Sequence, residues 1–154
     1  MSHEPPSYDL GTLVRIGSAC AEPDAWLFAT HLMQIHPQSA AAATIGTIWR
    51  RRAHRLLTAL ILHQASAPPE QRNVSALHDL IGTLSQRDCR DRLRAVIATE
   101  HDPSLAQGWQ TRRGLPTPTN PIVTRLIQEH LDRPDHEAAS VIRELQLSLL
   151  KESA

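Results

Sequence analysis

AAATIGTIWRRRAHRLLTALILHQA, residues Ala41–Ala65, is the stretch on which the fold turns. Ile45, Ile48, Trp49, Ala53, Leu56, Leu57, Leu60 and Ile61 recur at spacings of three and four, so they fall on one side of a 3.6-residue helix. The spacing predicts a core helix over Ala41–Ala65 that ends before the Pro68-Pro69 turn. Its opposite face carries Arg50, Arg51, His54 and Arg55.

Helical periods continue on both sides. Pro23 and its flanking acids suit a helix start, through a fixed φ and the positive end of the macrodipole. A helix is expected over Pro23–His36, apolar at Trp26, Leu27, Ala29, Leu32, Met33 and Ile35, with Pro37 ending it. A short helix fits Ser75–Thr83, with Ser75 as its N-cap and Leu77, Leu80, Ile81 and Leu84 as its stripe. Ser85-Gln86-Arg87-Asp88 reads as an acidic variant of the capping box and announces a helix to about Thr99, with Leu93, Val96 and Ile97 inside and its arginines outside.

The pattern weakens over Glu100–Thr119, where Pro103, Gly108, Gly114, Pro116 and Pro118 break it; a short helix near Pro103–Gln110 and then an extended loop are expected. Asn120-Pro121 reads as an N-cap and a first-position proline, opening a helix through Ile122, Val123, Leu126, Ile127 and His130. A last helix follows Asp132-Arg133-Pro134-Asp135 to about Lys151, apolar at Ala138, Val141, Ile142, Leu145 and Leu149.

The expected fold class is therefore all-α, a compact bundle of about six or seven helices forming a single domain over residues 1–154. Composition agrees: aromatic residues make up 3% and glycines number six, so aliphatic helix formers dominate. A chain of this length supports one core of ordinary size. The polar, proline-bearing start, residues 1–8, reads as a flexible linker or an artificial boundary. The longest apolar stretch, Leu56–His63, is far shorter than the roughly 18 residues that suggest a membrane span, and no signal-peptide pattern opens the chain. A cytoplasmic domain without direct membrane contact is expected.

Chemistry is harder to find. The formal net charge is +0, which lacks the broad basic field of a dedicated nucleic-acid binder. Cys20 and Cys89 form no CxxC pair, so neither a disulfide framework nor a thiolate zinc site is expected. A phosphate-binding loop needs GxxxxGK followed by Ser or Thr; that string is absent, and the only lysine is Lys151. HExxH is absent too, and His31/His36 and His54/His63 lack the spacing that sets two imidazoles on one helix face. No GxSxG elbow occurs. The chain is thus expected to be no enzyme, with no catalytic residue, no metal site and no cofactor.

What remains is contact. Arg50, Arg51 and Arg55 can neutralise phosphates or grip carboxylates bidentately, or can form an ordinary solvated face. His54, flanked by arginines, admits a phosphotransfer reading as well as that of a helix-face histidine. Trp109 beside Arg112 and Arg113, in a loop, reads either as a second contact site or as a small satellite core.

Four strings also look familiar. WRRRAHRLLTALILH (Trp49–His63), SALHDLIGTLSQRD (Ser75–Asp88), NPIVTRLIQEHLDRPDHEAASVIRELQLSLL (Asn120–Leu150) and the opening YDLGTLVRIG (Tyr8–Gly17) with DAWLFATHLM (Asp24–Met33) resemble, in order, segments of the all-alpha domain of bacterial type IV coupling proteins. The resemblance implies an insertion domain of a larger hexameric ATPase anchored on the cytoplasmic side of the bacterial inner membrane. It implies substrate recognition: contact with secreted effector proteins, or with a relaxase and its DNA, for delivery to the type IV secretion or conjugation channel. This chain lacks the family's membrane anchor and both nucleotide motifs, so ATP hydrolysis does not carry over to it. Two other readings stand beside this one: a DNA-contacting helical domain that uses the basic helix face, and a free-standing helical enzyme.

Overall fold

A computed structural model of the chain describes residues 9–34, 43–84 and 87–149; of the helical residues 34 and 43–47 only the backbone is described. Among the described residues there are seven helices and no strand pairing beyond two isolated bridges. They are α1 (Leu10–Leu13), α2 (Ala21–Gln34), α3 (Ala43–Ala65), α4 (Val74–Thr83), α5 (Cys89–Ile97), α6 (Pro121–Leu131) and α7 (Asp135–Leu149), with a 3-10 turn at Pro69–Gln71. The fold is all-helical. No helix among the described residues is long and apolar enough to cross a membrane.

α3 is the axis of the bundle and touches α1, α2, α4, α6 and α7. Its two halves differ in surroundings. Every residue from Leu56 to Leu62 is buried, including Thr58, whose hydroxyl donates to the His54 carbonyl at 2.9 Å. Apolar contact therefore covers the whole circumference there, beyond the stripe of the sequence, as in a helix with neighbours on all sides. From Ile48 to Arg55 the helix borders a groove on one side and carries the arginines.

α2 packs on α3 through Ala21, Ala25, Ala29 and Met33, one residue every four, while Trp26 and Leu27 are 51% and 61% exposed. This corrects the expected stripe. The alanines lie where α2 meets α3, and the larger side chains that dominate the hydropathy pattern lie outside. α2 also starts two residues earlier than Pro23, which sits in the first turn, where a proline costs no intrahelical hydrogen bond. The expected end at Ile35-His36-Pro37 lies outside the described residues.

Leu10 and Val14 belong to the core, which the sequence pattern did not indicate. Asp9 caps α1 by accepting the Gly11 amide at 2.8 Å, Leu10 donates to the Arg72 carbonyl at 2.8 Å, and Leu10 and Val14 are buried.

α4 is capped by Asn73, whose Oδ1 accepts the Ala76 amide at 2.8 Å, and not by Ser75. α5 begins at Cys89, later than the capping box suggested; Ser85 and Gln86 lie outside the described residues. Arg90 does not point to solvent as expected: it donates to the carbonyls of Leu131 and Arg133 at the end of α6 and pairs with Asp135 at 2.7 Å, in keeping with a cation at a helix C-terminus. Asn120 and Pro121 open α6 as expected, with Oδ1 accepting the Ile122 amide at 3.1 Å.

No helix forms over Pro103–Gln110. Single turns close there instead, Leu105 to Asp102 at 2.9 Å and Trp109 to Ala106 at 3.2 Å, and the chain then folds into a small hairpin. Thr111 donates to Leu115 at 2.7 Å and Thr117 to Trp109 at 3.1 Å, with Gly108 and Gly114 at φ 82° and 80°. Both glycines hold the left-handed backbone that other residues adopt only with strain.

A candidate recognition groove

Arg50, Arg51, His54 and Arg55 all line one groove of about 820 Å³ between α2 and the first half of α3. Its volume falls in the range of roughly 300–1,000 Å³ typical of ligand clefts. Trp26, Thr30 and Met33 face it from α2, and Ile48 and Leu126 extend its apolar surface.

His54 sits in the groove wall with a defined hydrogen-bond pattern. Its Nε2 is 3.2 Å from the Trp26 carbonyl and 2.8 Å from Thr30 Oγ1, while the Thr30 hydroxyl itself lies 2.9 Å from that carbonyl. A carbonyl only accepts, so His54 carries its proton on Nε2, and Nδ1 keeps the lone pair. The Trp26 ring meets the imidazole edge-on at 4.9 Å. Burial lowers the His54 pKa, an effect opposed in part by the bond to the Trp26 carbonyl, so the ring is neutral at pH 7.

The arginines are not equivalent. Arg55 is held bidentately by Glu129, at 2.5 Å from Nε and 2.9 Å from Nη2, and the pair raises the pKa of the guanidinium and lowers that of the carboxyl. Arg52 lies 3.4 Å from Glu137 and 5.1 Å from the Trp49 ring centre. Arg50 donates to the Met33 carbonyl at 3.2 Å, near the C-terminal end of α2. Arg51 is exposed, with no acidic partner among the described residues. The face that the sequence shows as three arginines around a histidine thus holds one arginine in a bidentate ion pair, one on a helix-end carbonyl and, at Arg51, an exposed cation with no acidic partner among the described residues.

Trp109, Arg112 and Arg113 form no part of this groove. Arg112 and Arg113 are exposed at the hairpin tip, while Trp109 is half-buried. The Trp109 ring meets His101 edge-on at 5.9 Å and borders a shallow depression with Gly108, Pro116 and Pro118. His101 is buried against the far end of α3, beside His63 and Ser66, so the two candidate regions are separated by roughly 15 Å along the helix. The Trp109 ring thus lies half-buried between the hairpin and His101.

Sequence reasoning missed the polar cluster that anchors the hairpin. His63 Nδ1 lies 2.9 Å from His101 Nε2, the Asn120 side chain donates to Ser66 Oγ at 3.1 Å, and Arg72 pairs with Asp102. These partners are far apart in sequence, so no local spacing announces them. Among the described residues no group of three or more His, Cys, Asp or Glu side chains could hold a metal ion. Among the described residues neither Cys20 nor Cys89 is in a disulfide, and burial raises the pKa of Cys89. No protein-family model, no curated protein and no solved structure matches this chain.

Proposed function

We propose that this chain is the substrate-recognition domain of a type IV coupling protein, inserted in a larger ATPase on the cytoplasmic side of a bacterial inner membrane. Its task is to bind effector proteins or a relaxase with its DNA and present them to the secretion channel. It carries out no chemistry itself. The observation that carries this reading is the groove: Arg50, Arg51, His54 and Arg55 line one open cleft beside half-exposed Trp26 and Ile48. A rigid bundle with such a cleft suits capture of a segment from a partner. The four ordered strings that resemble the coupling-protein domain lend support, since the described parts of each fall on α1 and α2, on α3, on α4 and on α6 with α7.

A protein partner is favoured over direct DNA contact, because Arg55 and Arg52 already share their charge with Glu129 and Glu137. Phosphate binding draws on cations free to replace counterions. The test is capture of cognate effectors and relaxase by the full chain, with duplex DNA in parallel. Retention of at least one protein substrate, lost on competition with its isolated signal segment, is the expected result. Failure across a complete cognate set, or capture of DNA alone, overturns the reading.

A further inference from the structure

We infer that the groove between α2 and α3 accepts a peptide segment bearing carboxylates beside an apolar anchor, with a carboxylate on Arg51 and the anchor against Trp26 and Ile48. The inference deepens the proposed recognition role and rests on it for the choice of face.

Charge gives the first argument. Glu22, which lines the groove, is already committed to Arg125 at 2.6 Å, and the lining arginines Arg55 and Arg52 are paired with Glu129 at 2.5 Å and Glu137 at 3.4 Å. The segment 35–47, which joins α2 to the first half of α3, contains no Asp or Glu. Among the described residues the guanidinium of Arg51 therefore has no acidic partner. A carboxylate on an incoming segment completes the pairing, and a basic segment meets repulsion.

Apolar surface gives the second. Trp26 is 51% and Ile48 50% exposed, yet both line the same cleft as the arginines. Tryptophan and arginine are both enriched at binding hot spots. The ring is already positioned by its edge contact with His54 at 4.9 Å, so little ordering is required when a partner arrives. His54 Nδ1 keeps a lone pair able to accept a peptide N–H. At about 820 Å³ the cleft holds a few side chains of an extended or helical segment and is too small for a folded surface to enter.

The test uses the full chain and a fluorescent probe peptide that alternates Glu and Leu at helical spacing, read by anisotropy. Three competitors accompany it: the same peptide with Gln for Glu, the same with Lys for Glu, and duplex DNA. The Glu peptide is expected to bind at least about tenfold more tightly than the Gln peptide, with affinity falling as salt rises. Arg51→Glu and Trp26→Ala should each lose about tenfold, while Arg92→Glu on α5 leaves binding unchanged. Helical circular dichroism of each variant guards against unfolding, and Arg51→Glu, being a surface change, keeps the test decisive if Trp26→Ala fails to fold. Equal binding of the Glu and Gln peptides, tighter binding of DNA, or indifference to Arg51→Glu overturns the inference. If cognate effectors are still captured, and captured equally by Arg51→Glu, the recognition role stands on another face and this assignment alone falls.

Discussion

His63 and His101 share one proton-bearing contact, 2.9 Å from His63 Nδ1 to His101 Nε2, between the end of α3 and the start of the hairpin loop. The Asn120 backbone N–H donates to His101 Nδ1 at 2.9 Å, so His101 must carry its proton on Nε2 and donate it to His63. Both rings are held neutral. A proton added at either Nδ1 displaces one of these bonds.

Stability should therefore depend on pH well above the carboxylate range. Burial lowers the pKa of His63, His101 and His130 from 6.5 to about 4 in each case; the His101 ring adds to the effect at His63, and Arg133 and Arg90 add to it at His130. His130 Nε2 has no hydrogen-bond partner among the described residues to offset its burial. The folded pKa lies below the unfolded value, so the unfolded chain takes up protons first as pH falls. The histidine contribution is complete above about 6.5, declines between 6.5 and 4 and then levels off. Each pKa unit is worth about 1.4 kcal/mol, so a loss of several kcal/mol is expected from pH 7 to 4.5. Urea unfolding at these two pH values measures it, and unchanged stability would contradict the neutral, buried rings.

The pattern of what the sequence revealed follows from the range of each interaction. α3 and the start of α6 were legible because leucine spacing and an Asn-Pro pair act within a few residues. α3 ends at Ala65, before the Pro68-Pro69 turn, and α4 ends at Thr83, where its apolar spacing predicts. The packing face of α2 was not legible, since alanines weigh little in hydropathy beside Trp26 and Leu27. The spacing over Pro103–Thr119 predicts a short helix and a loop and misses the hairpin, because Gly108 and Gly114 signal only a break, while His101 at its base finds His63 38 residues away. Likewise Arg50, Arg51, His54 and Arg55 were recognisable as one face. That Glu129, 74 residues on, removes Arg55 from the free cations could come only from the fold.

Two asparagine caps should differ in cost. Asn73 and Asn120 each cap a helix through Oδ1, but Asn120 is 3% exposed and also donates to buried Ser66 at 3.1 Å, whereas Asn73 donates to Glu70 near the surface at 3.2 Å. Asn73→Ala should cost about 1 kcal/mol for the cap alone. Asn120→Ala should cost about 2 kcal/mol, because a buried hydrogen bond is lost as well. Urea midpoints at constant slope report both, and an equal or larger cost at Asn73 would count against the Ser66 contact.

The Arg55–Glu129 pair, for all its bidentate geometry, should stabilise little. The two side chains are 52% and 40% exposed, so water screens most of the attraction. A double-mutant cycle with Arg55→Ala and Glu129→Ala should give a coupling of about 0.2–1 kcal/mol that shrinks with added salt. A salt-independent coupling above about 2 kcal/mol would mean that the pair is dry and structural.

The hairpin tip offers the sharpest local probe. Arg112 and Arg113 are exposed on a turn closed by Thr111 and Leu115, and the Trp109–His101 ring contact lies at the base of the same hairpin. Proteolysis needs the chain to open locally, and opening here need not disturb the helices, whose core lies around α3. Trp109→Ala removes the ring that docks the hairpin on His101. Gly114→Ala strains the turn directly, because φ at that position is 80°. Both variants should be cut by trypsin after Arg112 and Arg113 several times faster than the parent chain at pH 8, with helical circular dichroism retained. Mass spectrometry of the early fragments separates these cuts from those at other arginines. If Gly114→Ala accelerates cleavage and Trp109→Ala does not, the hairpin is held by its own hydrogen bonds, and the indole contributes nothing to its docking.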